Sequence, residues 1–305
     1  MIPFQLTIIG AGSAIPTVHR AATSQLLRYA SSQILIDCAE GTQIQMKKLK
    51  ISAMRIERIL ISHLHGDHYF GLIGLITSMH LLGRDKPLFV YGPPELIDIL
   101  MLQLKVSQTK LNYPLVFAPL NAEGEQLVFE DQCIQCFSFP VVHRIPTWGF
   151  RFDERQAELQ IKPEFIAQHQ PEISAIKAIK KGADYEDRHG QIHGNVQITL
   201  PLREPRSYAF CTDTAYHEGL LQHIKKVNLL YHEATFLHQN AQTAATTFHS
   251  TAHQAALMAK SAEVKQLVIG HFSSRYTDPH LLLEEARSSF PNSHLALDGS
   301  VFDVE

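Results

Sequence analysis

The sequence His63-Leu64-His65-Gly66-Asp67-His68 places three histidines and one aspartate within six residues. It follows the short apolar run Arg58–Ile61, which predicts a β-strand that ends at this motif. We expect a loop through Gly66, because residues i and i+2 of a helix point in different directions. Zinc takes about three to four nitrogen, oxygen or sulfur ligands. The motif therefore predicts a metal site that needs further ligands from elsewhere in the chain.

Three further polar residues directly follow apolar runs that predict strands. His143 comes after Phe139-Pro140, Asp213 after Ala209–Cys211, and His271 after Leu267–Gly270. Functional sites in α/β folds gather at strand ends, so we expect these side chains to meet the histidine-rich motif. Together they make seven candidate ligands, which is enough for two metal ions.

Histidine is unusually frequent, with 18 in the chain. The histidines outside the seven candidates lack ligand spacing, and the sequence assigns them no role; they include His169, His189 and His193. His232 follows an apolar run and is interpreted as a packed residue.

The pattern of secondary structure predicts the α/β class, with sheets lying between helical layers. The 305 residues form one predicted domain, 1–305, interrupted by a polar insert at Asp153–Pro205 with an amphipathic helix near Pro171–Lys181. The remaining predicted helices have apolar residues at helical spacing: Phe70–Leu82, Glu95–Val106, Thr251–Ala262 and Pro279–Phe290.

Bulk composition indicates a globular protein that does not span a membrane. No apolar stretch approaches the roughly 20 residues of a membrane helix, and Met1–Gly10 lacks the basic region of a signal peptide, so we expect a cytoplasmic location. The net charge of −3 means that any RNA contact depends on local basic patches. Cys133 and Cys136 lie in an apolar run and are predicted to be buried and reduced.

The metal motif and the segments around it resemble the RNase Z branch, in its short bacterial form, of the metallo-β-lactamase superfamily. The resemblance extends from near the N-terminus to Tyr276, the insert excepted. The similar segments are Gly12–Thr17, Asp37–Gln43, Tyr69–Leu72, Pro146–Phe150, Thr212–Thr214, His232–Thr235, His249–Thr251 and Gly270–Tyr276.

This resemblance implies an αββα sandwich with an inserted flexible arm and two Zn²⁺ ions per subunit, with Mn²⁺ as an alternative metal. The implied ligands divide into three sets: His63, His65 and His143 for the first ion; Asp67, His68 and His271 for the second; and Asp213 for both. It further implies that Asp67 orients water or takes its proton, that His249 donates a proton to the leaving oxygen, and that Glu233 fixes the His249 tautomer.

The implied substrate is precursor tRNA, cleaved so that the 3′ trailer is removed and a 3′-OH stays on the tRNA. Arg275 would contact a phosphate, and Lys177, Lys180 and Lys181 of the arm would bind the tRNA backbone. The insert lacks the Gly-Pro-rich element that many family members carry. The resemblance also implies a homodimer.

Simpler interpretations of these polar residues remain open. Glu233 and His249 could be ordinary residues near helix starts, Arg275 a solvated charge, and the three lysines a solvated helix face.

Two other functions share parts of the pattern. A di-zinc phosphodiesterase or arylsulfatase acting on small molecules would use the same ligands, but it would not need a distant basic arm. A non-catalytic RNA-binding protein could keep zinc for stability, but it would not need Asp67, Glu233 and His249 together.

Overall fold

A computed structural model describes residues 2–15, 17–121, 123–156, 158–201 and 203–305. Pro16 of the Gly12–Thr17 motif, and residues 157 and 202 of the predicted insert, lie outside the described residues. Met1 of the N-terminal segment also lies outside them.

The strands are named in chain order. They are β1 Phe4–Gly10, β2 Ser24–Tyr29, β3 Ser32–Ile36, β4 Ile56–Leu60, β5 Leu88–Gly92, β6 Leu115–Pro119, β7 Gln126–Glu130, β8 Ile134–Val141, β9 Thr147–Glu154, β10 Tyr185–Glu186, β11 Ile192–His193, β12 Ser207–Cys211, β13 Leu229–Glu233, β14 Gln266–Gly270, β15 Ser293–Leu295 and β16 Val301–Asp303.

The α-helices follow the same order, with three short 3₁₀ helices at Ala53–Arg55, Glu218–Leu220 and His238–Asn240. They are α1 Thr42–Lys48, α2 Gly66–Tyr69, α3 Leu72–Leu81, α4 Leu96–Val106, α5 Pro163–His169, α6 Ile173–Lys180, α7 Asn195–Ile198, α8 Leu221–Ile224, α9 Ala241–Thr247, α10 Ala252–Ser261 and α11 His280–Ser289.

Two seven-stranded sheets form the frame of the larger unit. Their strand orders are β16-β1-β2-β3-β4-β5-β6 and β15-β14-β13-β12-β9-β8-β7. Helices α1, α3 and α4 bury their apolar faces against the first sheet. Helices α8, α10 and α11 do the same against the second. The order of layers is helix, sheet, sheet, helix.

Alternation along the strands supplies both faces of each sheet. In β12, Ala209 and Cys211 belong to the core under the helices. Tyr208 and Phe210 point the other way, and the Tyr208 hydroxyl donates a hydrogen bond to Gln25 Oε1 of β2 at 2.5 Å. This contact joins the inner faces of the two sheets.

The chain divides into two compact units. The larger contains the chain up to Glu130, Gln135–Asp153 and Arg206–Glu305, and the smaller contains Asp131–Ile134 and Glu154–Pro205. The smaller unit has helices α5, α6 and α7, the β10–β11 hairpin, and four buried apolar core residues among those that the structure describes. We call it the arm unit.

Most predicted elements occur, with ends shifted by one or two residues, but some expectations are wrong. Helix α2 begins at Gly66, where we expected a loop. Strand β8 begins at Ile134, so Cys133 precedes it and is exposed, whereas Cys136 is buried as expected. Strand β16 was not predicted, because its three residues are ordered by pairing with β1 and carry too little periodicity of their own.

No helix among the described residues is long and apolar enough to cross a membrane.

Candidate metal centre and active site

The first sheet brings two groups of polar residues to one edge. Strands β3 and β4 are parallel neighbours, so their carboxyl ends meet at the same edge. Asp37 directly follows β3, and His63 lies just beyond β4. Asp37 has a left-handed backbone with φ 57°, a conformation that costs free energy and is concentrated at functional sites.

The second sheet supplies the facing residues in the same way. Strands β12, β13 and β14 are parallel, so Asp213, Glu233 and His271 come to one edge at their carboxyl ends. His143 lies in the connection between β8 and β9. His271 also has a left-handed backbone, with φ 59°.

The motif 63–68 combines an irregular segment with one helical turn. His63 precedes the turn, His65 is its N-cap, and Asp67 and His68 lie within it. The predicted loop is therefore correct only up to His65. The extended segment aims the first two imidazoles, and the turn aims Asp67 and His68 at a second point.

The first cluster consists of His63, His65, His143 and Asp213. His65 Nδ1 lies 3.1 Å from His63 Nε2 and 3.2 Å from His143 Nε2. Asp213 Oδ2 lies 3.7 Å from His63 Nε2 and 3.8 Å from His143 Nε2. Ligand atoms around a tetrahedral zinc ion are roughly 3.3–3.6 Å apart, so these separations suit one ion.

The second cluster consists of Asp67, His68 and His271. His271 Nε2 lies 3.4 Å from Asp67 Oδ2, and His68 Nε2 lies 3.5 Å from the same oxygen. Asp213 Oδ1 is 3.2 Å from His271 Nε2 and 3.5 Å from His68 Nε2. Asp213 thus turns one carboxylate oxygen to each cluster.

Outer hydrogen bonds orient the ligand nitrogens of the first cluster. Ser62 Oγ lies 3.0 Å from His63 Nδ1, and His143 Nδ1 donates to the Phe248 carbonyl oxygen at 3.0 Å. Both rings therefore keep the Nε2 lone pair for the cluster. Burial lowers the pKa of His63, His65 and His143, which favours the neutral imidazole that binds metal.

The second cluster is arranged in the same way. His68 Nδ1 donates to Asp37 Oδ2 at 2.7 Å, and His271 Nδ1 to Thr235 Oγ1 at 2.9 Å. His68 Nε2 is buried without a hydrogen-bond partner among the described residues. Burial alone would lower the pKa of His68, but the charges of Asp213, Asp37 and Asp67 raise it well above its usual value. A buried nitrogen without a partner and an excess of carboxylate charge both fit a bound cation.

A second pair of residues stands beside the metal clusters. Glu233 is fully buried, and its Oε1 accepts a hydrogen bond from His249 Nδ1 at 2.7 Å. Glu233 Oε2 accepts from the Thr235 hydroxyl at 2.7 Å. Burial lowers the pKa of His249, but the Glu233 charge and hydrogen bond outweigh this and raise it to about 9. The imidazole is therefore protonated at neutral pH and can act as an acid.

The clusters lie in an open cleft of about 580 Å³ that His249 also lines. Phe70, which is 61% exposed, and Phe236 add aromatic surface to the cleft, and Arg144 adds a positive charge. The exposed Arg275 stands beside it, with its guanidinium carbon 4.8 Å from the centre of the Phe236 ring. A cleft of this composition suits an extended anionic ligand with planar groups.

Comparison with known proteins gives full-length relatives. Ribonuclease Z of Parabacteroides distasonis is 42% identical over 304 residues, which cover 100% of both chains. Ribonuclease Z of Phocaeicola vulgatus is 41% identical over 305 residues, which cover 100% of this chain and 99% of the relative. The chain belongs to the ribonuclease Z family. The family prediction is confirmed, and membership makes the chain a metal-dependent endoribonuclease.

Solved structures agree with this membership of the ribonuclease Z family. The human tRNase Z, short form, matches with a TM-score of 0.72 and 27% identity over 99% of both chains. The metallo-beta-lactamase fold protein YhfI of Bacillus subtilis matches with a TM-score of 0.69 and 16% identity, over 99% of this chain and 100% of that chain, which confirms the predicted metallo-β-lactamase fold. A family model described as Anti-Pycsar protein Apyc1 matches residues 4–114. This match covers less than half of the chain.

Two residues that position ligands in this ribonuclease Z family member, Asp37 and Thr235, were not predicted as site residues. Both lie in segments that resemble the family, Asp37–Gln43 and His232–Thr235. The signal for Asp37 was available, because it follows the buried strand β3 as Asp213 follows β12. The outer role of Thr235 depends on a contact to His271, 36 residues away, which no local pattern reveals.

The predicted arm residues of this family member lie in the arm unit. Lys177 and Lys180 belong to helix α6, and Lys181 is its C-cap. Lys177 and Lys181 are exposed, whereas Lys180 Nζ lies 3.9 Å from Glu158 Oε2. Exposed lysines on a helix face are available to phosphates.

Proposed function

We propose that this chain cuts precursor tRNA on the 3′ side of its discriminator base, which removes the 3′ trailer and leaves a 3′-OH on the tRNA. Endonucleolytic processing of tRNA 3′ ends is the activity of its family. The observation that carries the proposal is the Asp213 carboxylate, which faces one histidine cluster with each oxygen.

We propose that the two clusters hold two Zn²⁺ ions, with Mn²⁺ as the alternative. Three imidazoles and a carboxylate in the first cluster form a nitrogen-rich set, which zinc binds readily. When bound, such a metal pair supplies Lewis acidity and lowers the pKa of water. Metal analysis of the purified protein tests both the identity and the number of ions.

We assign the proton donation to His249. Cleavage that leaves a 3′-OH breaks the bond between phosphorus and O3′, so O3′ must receive a proton. With Nδ1 hydrogen bonded to Glu233, Nε2 is the ring nitrogen left to carry that proton to the cleft. Glu233 keeps His249 in this tautomer and stabilises its charge, as a carboxylate does in other acid–base pairs.

Asp67 is the proposed partner of the attacking water. The backbone N–H of Ala14 donates to Asp67 Oδ2 at 2.7 Å, and the contacts of Asp67 with His68 and His271 use the same oxygen. This arrangement fixes the carboxylate and leaves Oδ1 to orient water or accept its proton.

Substrate binding is assigned to two regions, each considered by itself. At the cleft, Arg275 would contact a phosphate, and the exposed ring of Phe70 would stack on a base. In the arm unit, Lys177, Lys180 and Lys181 would bind the phosphate backbone of tRNA. We also infer a cytoplasmic location, which agrees with four free cysteines.

The first experiment incubates the purified protein with a precursor tRNA that carries a 3′ trailer. We expect one cut near the discriminator base, lost on chelation. Hydrolysis of bis-p-nitrophenyl phosphate without any cut in the RNA would support a phosphodiesterase for small molecules instead. Binding of the RNA without cleavage of either substrate would support a non-catalytic RNA-binding protein.

We propose that the enzyme is a homodimer, as the family resemblance implies. Light scattering should then give about twice the chain mass of 34.4 kDa. A mass of one chain at micromolar concentration would contradict this proposal.

A further inference from the structure

The arm unit brings together three potential metal ligands that are far apart in sequence. His169 ends helix α5, Asp187 follows strand β10, and His193 lies in strand β11. One ligand atom of each lies within 4.8 Å of those of the other two. The spacing of His169 and His193 in the sequence is not that of a metal motif, and the fold brings them together instead.

The hairpin holds Asp187 and His193 in place. Asp187 Oδ1 accepts hydrogen bonds from the backbone N–H groups of His189 and Gln191 at 2.9 and 3.0 Å. This turn leaves Asp187 Oδ2 to face His193 Nε2 at 3.2 Å. The two side chains are 11% and 17% exposed, so the pair is largely shielded from water. A carboxylate and an imidazole are thus positioned by the backbone of the turn.

Aromatic side chains fix the two imidazoles. The rings of His169 and His193 lie 4.5 Å apart between centroids. Phe165 stacks on His169 at 4.5 Å and meets His193 edge-on at 5.4 Å. Tyr185 contacts Phe165 edge-on at 5.5 Å. These ring contacts restrict the orientation of the two imidazoles, so their nitrogens can be held toward the Asp187 carboxylate.

The described residues of the arm unit form a small apolar core. It consists of Ile161, Phe165, Ile179 and Ile198, with Ile176 and Tyr185 packed against it. Units of fewer than about 60 residues commonly depend on a disulfide, a metal or a partner. Its cysteine, Cys133, is free, so a disulfide does not supply this link.

We propose that His169, Asp187 and His193 bind a zinc-class divalent metal ion in the arm unit, separate from the two clusters of the cleft. Two imidazoles and one carboxylate match a common zinc ligand set, with water able to complete the coordination. The ion links the end of α5 to the β10–β11 hairpin. It is a structural ion of the arm, and it does not depend on the proposed function of the cleft.

The test counts zinc in the full-length protein by mass spectrometry after equilibration with a small excess of zinc and removal of unbound metal. We expect about three ions per chain in the unaltered protein. His169→Gln and His193→Gln should each lower the count by about one. His189→Gln is the matched control, because this exposed histidine lies in the same turn but outside the cluster, and the count should not change.

Two further measurements separate this site from the cleft. Hydrolysis of bis-p-nitrophenyl phosphate by His169→Gln and His193→Gln should stay within about twofold of the unaltered protein. Zinc should slow amide hydrogen exchange in residues 163–193 of the unaltered protein but not in the two variants.

Equal metal counts in the unaltered protein and both variants, with no effect of zinc on exchange in 163–193, would overturn the proposal. Asp187 and His193 would then form only a hydrogen bond within the hairpin. If the unaltered protein bound the arm ion but did not cleave precursor tRNA, the proposed function would be wrong. The arm site would still be supported.

Discussion

Asp213 is the residue on which both metal clusters depend, because each of its oxygens faces one of them. It follows β12 in the second sheet, whereas His63 and His68 come from the first. Its carboxylate therefore joins ligands carried by two different sheets, and its loss should affect both clusters together.

We predict that Asp213→Asn lowers the bound metal by at least one ion per chain. The rate of precursor cleavage should fall by about 10³-fold or more, because metal stabilisation of the transition state is worth several kcal/mol. Metal analysis and single-turnover cleavage measure the two effects. Asp98→Asn, at an exposed position of α4, is the control. Full metal content and activity in Asp213→Asn would contradict the bridging role.

The pair of Glu233 and His249 predicts a particular pH dependence. A raised pKa of about 9 keeps His249 protonated below that pH, so donation to the leaving oxygen should fail as pH rises through it. Glu233→Gln removes the charge that raises this pKa. In Glu233→Gln, the fall of kcat on the alkaline side of its pH profile should therefore occur at lower pH.

His249→Asn provides the complementary measurement. It should lower kcat for precursor tRNA by about 10²–10⁴-fold, as expected for loss of a general acid, with the metal content unchanged. If Glu233→Gln reduced the rate equally at every pH, Glu233 would have only a structural role.

At the scale of elements, Gly71 joins the metal motif to the first sheet. It precedes α3, and its N–H donates to the Cys38 carbonyl oxygen at 2.9 Å. A Cβ atom at Gly71 would lie 2.0 Å from the Ala39 carbonyl oxygen. This close approach holds the end of β3 against the turn that carries Asp67 and His68.

Gly71→Ala should therefore destabilise the fold by about 1–3 kcal/mol, measured by urea denaturation. Gly74→Ala, within the helix α3 that follows Gly71, is the matched control. Its Cβ would meet only the Gln43 side-chain amide, which can move, and alanine favours the helix by up to about 1 kcal/mol. Equal stability of the two variants would show that the close approach is not required.

At the scale of the whole molecule, most of the arm unit can be removed as one segment. Glu154–Pro205 begins at the end of β9 and ends before β12, and Asp153 and Ser207 are register partners in these antiparallel strands. A short Gly-Ser linker in place of Glu154–Pro205 can thus join neighbouring strand ends without disturbing the sheet.

We expect this replacement to lower kcat/KM for precursor tRNA by about 10²-fold or more, because lost phosphate contacts weaken binding. Hydrolysis of bis-p-nitrophenyl phosphate should persist. The double variant Lys177→Ala, Lys181→Ala should reduce the salt dependence of tRNA binding, whereas Lys265→Ala, in the larger unit, should not. Unchanged turnover of precursor tRNA after the replacement would remove the arm from substrate binding.

The sequence by itself determined the fold class, most elements and the candidate site. Helix α3 was predictable because Leu72, Leu75, Ile76 and Met79 are all buried at the spacing of one helix face. The seven candidate ligands were found because each follows an apolar strand, and a strand end is a local feature. Resemblance then supplied their proposed division between two ions.

Only the tertiary structure decided which groups face each other. The two oxygens of Asp213 are assigned to separate clusters by the packing of two sheets, and Asp37 reaches His68 across 31 residues. Strand β16 exists through its pairing with β1, and His169, Asp187 and His193 meet only in the folded arm unit. Periodicity reports how neighbouring residues share a face, whereas these contacts depend on sheet register and packing between segments distant in sequence.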